Sequence, residues 1–551
     1  MNSLKTNFAV ILCSLFSFEV MAQEDFKVKV NTDNEPVCEG KFKPTWKSLS
    51  QYETPAWFQN AKFGIWAHWG PQSEPMMGDW YARRMYKPGD EHYRHHIEAY
   101  GHPSVHGFKD IIHVWKAENW DPDKLVALYK KAGARYFVAM ANHHDNFDLW
   151  NSTYQPWNSV NMGPKKDLIA GWSAACKKYG LPFGVSVHCA RAWTWYEYAQ
   201  NSDSTGLFAG VPYDGNLTKS DGKGKWWEGY DPQDLYAQNH PLSMKPTGKP
   251  MDPDGRFTWL DGAYPLSQDY CDKFYNRTSE LINKYSPELL YFDETSLPLY
   301  PYSDAGLQIA ANMYNRSIER NNGKNEAVIT SKSLTEFEQD CITNDVERGV
   351  PDHIIAQPWQ TCTCIAGWHY DKWRYYKNTY KPSRQVIQIL VDVVSKNGCL
   401  LLSVPIRGDG TIDATEERIV NEIGEWMAIN GESIYDTRPW KVFGEGPSAE
   451  KSNPLKGVGF NEIKDGDNTA NDIRFTQKKN MLYITLFGVP SESVKVVSCG
   501  KAAKLLDGKI RKVEMLGSSE KITWKQTDEA LTLSVPKTMP SEKAVVYKVS
   551  I

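Results

Sequence analysis

Tyr136-Phe-Val-Ala-Met-Ala141 is an apolar run that breaks off into the polar Asn142-His143-His144-Asp145, and its surroundings decide the fold. Just upstream, Asp121 and Pro122 open a segment with Leu125 and Leu128 on one face, and Gly133 closes it. Asp before the first turn, Pro inside it and Gly after the last turn predict a helix. The helix feeds the apolar strand, and the strand ends in residues able to do chemistry. That is one α/β unit. It recurs in both directions: the strand Lys62-Phe-Gly-Ile-Trp-Ala-His68 precedes it, and a helix over 167–179 with Pro182-Phe-Gly-Val-Ser-Val187 and His188 follows. Next come a helix over 268–285 with Leu289-Leu-Tyr-Phe292 and Asp293, then Ala327-Val-Ile-Thr330. A helix over 383–396 leads to Gly398-Cys-Leu-Leu-Leu-Ser-Val404, and Asp413 with Glu416 opens a last helix reaching about Asn430.

Strands apolar on both faces and alternating with helices predict an α/β protein with a parallel sheet. Six legible units, with no GxGxxG after the first strand, favour a (β/α)8-like TIM barrel over an open dinucleotide-binding sheet. His68, Asn142 to Asp145, His188 and Asp293 all fall just past strand ends. In a barrel those ends share one face, the face that carries chemistry.

At 551 residues the chain exceeds a single core. Residues 1–22 read as a signal peptide: Lys5, an apolar run from Phe8 to Phe18, then small Ala22. Cys13 lies within that run, which disfavours a lipoprotein. The expected location is secreted or periplasmic, and no stretch reaches the length of a membrane span. Residues 23–445 form the expected barrel domain with an N-terminal extension. From 446 to 551 short β-rich runs between turn residues predict a C-terminal antiparallel β-sandwich. The Gly-, Pro- and Asp-rich stretch 201–265 is too long for an ordinary βα loop and reads as an insertion over the barrel mouth. The net charge of −4 asks for no nucleic acid partner, whereas 21 Trp and 29 Tyr suit the stacking of sugar rings.

Asp293 is the first chemical candidate. Glycoside cleavage needs a second carboxylate to protonate the leaving oxygen, and Glu336, Glu338, Asp340, Asp345 and Glu347 all follow the next strand. Spacing alone does not choose among them. Adjacent His143 and His144 would point opposite ways in an extended segment. His92, His95 and His96 read as surface histidines in a polar loop, and Cys362 and Cys364 as packing or a vicinal redox pair. No metal and no cofactor are expected.

An ordered series of segments resembles the α-L-fucosidases of glycoside hydrolase family 29, over roughly 57–435. It includes Lys62-Phe-Gly-Ile-Trp-Ala-His-Trp-Gly70, Gly78-Asp-Trp-Tyr81, Asn142-His-His-Asp-Asn-Phe147, Gly163-Pro-Lys-Lys-Asp-Leu168, Asn397-Gly-Cys-Leu-Leu-Leu-Ser403 and Gly408-Asp-Gly-Thr-Ile412. The resemblance implies a retaining exo-glycosidase that releases terminal α-L-fucose or a related L-galacto-configured sugar from an oligosaccharide. It implies Asp293 as nucleophile. For the acid/base it offers Glu347, with Glu338 and Glu336 behind it, because the alternative Trp-Glu-x-Cys segment reads Trp359-Gln360-Thr-Cys362 here. It implies sugar contacts from His68, Asp79, Trp80, His143, His144, His188, Tyr291, Lys332 and Gln360. Several of these depart from the family: Asp79 stands for Glu, His188 for Tyr, Tyr291 for Trp and Lys332 for Arg. Arg offers a bidentate fork that Lys lacks. A catalytically silent sugar-binding protein is the competing expectation, and a metal-dependent hydrolase the third.

Overall fold

The computed structural model describes residues 25–245, 247, 262–455 and 459–551. The signal-peptide reading of residues 1–22, Cys13 included, lies outside them.

Eight parallel strands close into a barrel: β1 (Phe63–Ala67), β2 (Tyr136–Asn142), β3 (Phe183–Val187), β4 (Leu289–Thr295), β5 (Val328–Lys332), β6 (Thr343–Glu347), β7 (Trp359–Cys364) and β8 (Gly398–Ser403). β8 pairs with β1, so no sheet edge is left open. The local signals act as the sequence predicts. The Asp121 side chain accepts from Lys124 N–H at the start of helix Pro122–Lys131. Asp167 caps Leu168–Tyr179, which ends at left-handed Gly180, and Asp413 and Glu416 form a reciprocal capping box on Ala414–Asn430. Strands β6 (TNDVE) and β7 (WQTCTC) carry no apolar run, which is why the sequence shows six units and the barrel has eight.

The pleat sorts each strand into two faces. Tyr136 and Val138 of β2, Leu289 and Tyr291 of β4, Val328 of β5 and Cys362 of β7 meet in one cluster inside the barrel with Trp66 and Leu401. The alternate residues Phe137, Ala139, Leu290, Phe292 and Ile329 pack outward against the helices. Continuing the inward parity toward the strand ends reaches His68, His188 and Asp293, and on β5 it passes Thr330 to reach Lys332. On β6 the same step from Asp345, which is paired in register with Gln360 of β7, reaches Glu347. The register between β4 and β5 shifts between Tyr291 and Thr295, an irregularity that falls on Asp293.

Beyond the barrel, β9 (Arg438–Glu445), β10 (Ile473–Lys478), β11 (Met481–Leu486), β12 (Val494–Val496), β13 (Lys512–Met515), β14 (Trp524–Gln526), β15 (Leu531–Leu533) and β16 (Val545–Ser550) form two antiparallel sheets. Their orders are β13-β16-β11-β10-β9 and β12-β15-β14. Phe475, Ile484, Val496, Leu531 and Tyr547 fill the core between them. The first strand of this unit therefore precedes Gly446, where the composition changes. The unit is fastened to the barrel helix Ser383–Ser395: Arg474 pairs with Asp392 at 2.5 Å, and Gln388 Nε2 donates to the Phe487 carbonyl at 2.7 Å.

Candidate active site

Asp293 projects from the end of β4 and meets three other strand ends. Lys332 Nζ lies 2.5 Å from its Oδ1, while His188 Nδ1 and His144 Nε2 lie 3.1 and 3.3 Å from its Oδ2. Burial by itself would raise this carboxyl. The Lys332 ammonium and the two imidazoles outweigh it and hold Asp293 well below the usual carboxylate range. Lys332 also reaches Glu347 Oε2 at 2.7 Å. Burial favours its neutral amine, but the two carboxylates keep it well above the ordinary lysine value. One buried cation thus joins the acids of β4 and β6.

A hydrogen-bonded line orders the His188 ring. Trp66 Nε1–H donates to Ser186 Oγ at 3.2 Å, and the Ser186 hydroxyl lies 3.0 Å from His188 Nε2. With Nε2 accepting from Ser186, the ring proton belongs on Nδ1, facing Asp293. Burial pushes His188 down to about 4, so the ring is neutral near pH 7. His143 is set in the same manner. Gln72 Oε1 accepts the Ala82 N–H at 3.3 Å, so its Nε2 is the atom that donates to His143 Nδ1, at 2.9 Å. That leaves His143 presenting Nε2–H. His144 Nδ1–H donates to the His188 carbonyl at 2.7 Å.

His68 stands between these rings, with centroids 5.1 Å from both His143 and His188. Both of its nitrogens are buried without a hydrogen-bond partner, and burial with the neighbouring imidazoles drives it well below its ordinary value. Unsatisfied buried donors and acceptors of this kind mark a place for a polar ligand. Trp66, Trp368 and Trp195 supply aromatic walls beside the imidazoles.

The other expected site residues divide. Asp79 ties the first βα loop to the seventh by accepting the His369 N–H at 2.6 Å and the Trp368 N–H at 3.2 Å. Trp80 is half-buried at φ 65°, with the Arg83 and Arg84 guanidinium groups each 5.7 Å from its ring. Tyr291 lies beneath Lys332, fully buried, and its hydroxyl donates to Asp345 at 3.1 Å. Gln360 does not reach the pocket. It is fully buried, accepting from Tyr136 OH and donating to Asp345 Oδ1 at 2.9 Å, so the structure makes it a support for Asp345 instead of a sugar contact. Glu338 accepts from the Ser296 hydroxyl and from the Thr335 N–H, in the capping box of the short helix Glu336–Gln339.

Two expectations about histidine are corrected. His143 and His144 do not point apart, because β2 ends at Asn142 and the pair lies in a turn. Their rings lie 4.5 Å apart. His92 and His96 are buried instead of being surface residues: His92 bridges Asp90 and the Met77 carbonyl, and His96 meets Tyr81 OH at 3.1 Å. Two imidazole sets, His68-His143-His369 and His143-His144-His188, have ligand atoms all within 4.8 Å of one another and are where an ion could be held. Cys362 and Cys364 are buried and unbridged, with Cys362 Sγ 3.1 Å from Asp345.

His369 is not singled out from the sequence, and Asp345, one of the five candidate carboxylates, takes a different part from the one expected. His369 is fully buried, its ring 4.7 Å from His68 and 5.0 Å from His143. It follows β7, and recognising that strand would have placed it at a strand end. Asp345 accepts from Tyr291, Gln360 and Cys362, and burial lifts its carboxyl to about 7. A further contact comes from outside the barrel. Phe460 N–H donates to the Glu347 carbonyl at 2.9 Å, and Asn461 pairs with both backbone groups of Val350, at 2.8 and 2.9 Å. Gly459 makes this approach at φ 150°, where a Cβ would sit 1.9 Å from the Glu347 carbonyl oxygen.

Residues 30–432 match the family model described as alpha-L-fucosidase, and residues 465–550 that of the alpha-L-fucosidase C-terminal domain. The plasma alpha-L-fucosidase of Pongo abelii is 26% identical over 413 residues, covering 73% of this chain and 74% of its own. The tissue alpha-L-fucosidase of Mus musculus is 24% identical over 524 residues, covering 92% and 93%. Among solved structures, Thermotoga maritima alpha-fucosidase in complex with fucose shares the fold, with TM-score 0.65 and 23% identity over 92% of this chain and all of its own. The family match spans the whole barrel, and with it the chain belongs to the α-L-fucosidase family of glycoside hydrolases.

Proposed function

We propose that the protein is a retaining exo-glycosidase that removes terminal α-L-fucosyl, or closely related L-galacto-configured, residues from glycans outside the cytoplasm. The observation that carries this reading is the convergence of Asp293 and Glu347 on one lysine nitrogen. Two contacts to a shared atom bring a carboxylate oxygen of each within about 5 Å, the spacing of a nucleophile and its acid/base partner with no room for an intervening water.

Asp293, kept ionised, attacks the anomeric carbon, while Glu347 delivers a proton to the departing glycosidic oxygen. Negative charge is consumed at Asp293 as the ester forms and appears at Glu347 as it gives up its proton. Lys332 lies between both positions and stabilises each in turn. Glu347 then takes a proton from the water that hydrolyses the ester. His143 and His68 supply donors and acceptors for the sugar's hydroxyls, while His188 turns its Nδ1–H toward Asp293. The names of the plasma fucosidase relatives support an extracellular setting.

Hydrolysis of an aryl α-L-fucoside tests the reading. The first sugar released, followed by NMR, is expected in the α configuration, and Asp293→Ala is expected to lose at least about 1,000-fold in kcat/KM with partial return in azide. An active Asp293→Ala enzyme or an inverted first product would end it. Tight fucose binding without turnover would select the silent sugar-binding protein, and loss of activity on exhaustive chelation the metal-dependent hydrolase.

A further inference from the structure

The short helix Lys372–Lys377 has no buried residue, yet half of its side chains are aromatic. Trp373 is 47% exposed and Tyr376 70%. The Trp373 and Tyr376 rings meet edge to face at 6.0 Å, and Tyr375 adjoins Tyr376 at 5.8 Å. Packing does not account for three such rings on a surface turn, and clustered exposed aromatics mark a place where something else is bound.

The backbone of this helix is held firmly. Asp371 caps it, accepting Trp373 N–H at 2.9 Å, and Lys372 N–H donates to the Met76 carbonyl at 3.0 Å. Gly78 N–H donates to the Tyr370 carbonyl, also at 3.0 Å. The helix is thereby joined to the loop that carries Asp79 and Trp80, and it directly follows Trp368 and His369 of the pocket. The helix therefore stands where the first and seventh βα loops meet, next to Trp368 and His369.

Its charge is one-sided. Lys372, Arg374 and Lys377 oppose Asp371 alone, and Asp371 stands 3.8 Å from Arg374. Lys372 Nζ sits 5.7 Å over the Trp373 ring, and Arg407 lies 5.9 Å over Tyr375. Among the described residues neither Lys372 nor Lys377 has an ion pair. The chain as a whole is at −4, so this cationic, aromatic ridge runs against the overall charge.

We infer that this ridge is a leaving-group subsite for an anionic glycan, whose sugar faces stack on Trp373 and Tyr376 while sulfate esters or carboxylates meet Lys372 and Lys377. This deepens the glycosidase reading and rests on it.

The test compares wild type with the double variants Trp373→Ala/Tyr376→Ala and Lys372→Ala/Lys377→Ala. Neither variant removes a buried side chain. Three α-L-fucosylated substrates are used: a neutral aryl fucoside, a sulfated oligosaccharide and a uronic-acid-containing oligosaccharide. The expected result is a KM about tenfold higher for the acidic oligosaccharides in each variant, with kcat and the aryl fucoside kinetics unchanged. Wild-type KM for those oligosaccharides should rise with salt while that for the aryl fucoside stays level. The sulfated and carboxylated arms tell which anion is recognised. Unchanged KM in both variants, or equal losses on the aryl fucoside, would overturn the inference. Dimer dissociation in sedimentation of the Trp373→Ala/Tyr376→Ala variant would assign the face to a second copy of the chain. Binding is also measured by calorimetry in the Asp293→Ala background. Affinity for the acidic oligosaccharides there, with no turnover in wild type, would keep the ridge while discarding the glycosidase reading.

Discussion

The ends of β4 and β6 present two carboxylates held by different means. Asp293 is gripped through its side chain by Lys332, His144 and His188, all from the barrel. The Glu347 side chain meets Lys332, and its main chain is clamped instead, by Phe460 N–H and the close approach of Gly459. The next residue, Arg348, adopts φ 48° and faces Glu462 at 3.7 Å. A group that has to stay charged is best surrounded by cations and donors. The proposed acid/base, which has to lose and regain a proton, is fixed largely through its backbone and carries a single cation, Lys332, on its carboxyl. The contrast also gives the C-terminal unit a role at the proposed acid/base that the barrel does not fill.

The sharpest way to break this contrast is to delete each carboxylate. Asp293→Ala should lose activity on every leaving group alike. Glu347→Ala should lose about 100- to 10,000-fold on a poorly activated glycoside but much less on a dinitrophenyl one, which departs without a proton. Equal losses on both substrates would remove Glu347 from the acid/base role. Next in size is Lys332→Met. Without the ammonium, the proposed nucleophile loses the influence that most lowers its pKa. The acid limb of the kcat/KM profile should therefore move upward by about one unit or more. An unmoved limb would show that the two imidazoles suffice.

The backbone clamp predicts a smaller, more selective effect. Gly459→Ala and Asn461→Ala should lower kcat by about three- to tenfold on the poor leaving group and leave the dinitrophenyl substrate nearly unchanged. A uniform loss on both, tracking a fall in melting temperature, would reduce the clamp to a stabilising contact.

The smallest effect is on stability alone. Burial raises the Asp345 carboxyl to about 7 in the folded protein, against an ordinary aspartate in the unfolded chain. The folded state holds this proton between about pH 4 and pH 7 and the unfolded state does not, so the carboxyl costs stability as pH rises through that window, by at most about 1.4 kcal/mol per unit. Asp345→Asn should flatten this slope, gaining most above pH 7 and little at pH 4. Parallel melting curves for the two proteins across that range would refute it.

The barrel was legible where its signals are local. Caps such as Asp121 and Asp413 act within three residues, and apolar runs such as those of β2 and β8 announce themselves. β6 and β7 were not, because Asp345, Gln360, Thr361 and Thr363 are buried polar residues whose partners sit elsewhere in the chain. With those strands unread, spacing left Glu347 one acid among five, only the family resemblance singled it out, and His369 went unnoticed.

Residue order alone determined the alternation of helix and strand, and with it the face on which Asp293, His68 and His188 gather, since a strand's end and its pleat are properties of a few neighbouring residues. Which glutamate meets Asp293, which tautomer each imidazole adopts and which distant glycine backs Glu347 were decided only by the closed fold. Those contacts join residues tens to hundreds of positions apart, and only packing sets their distances.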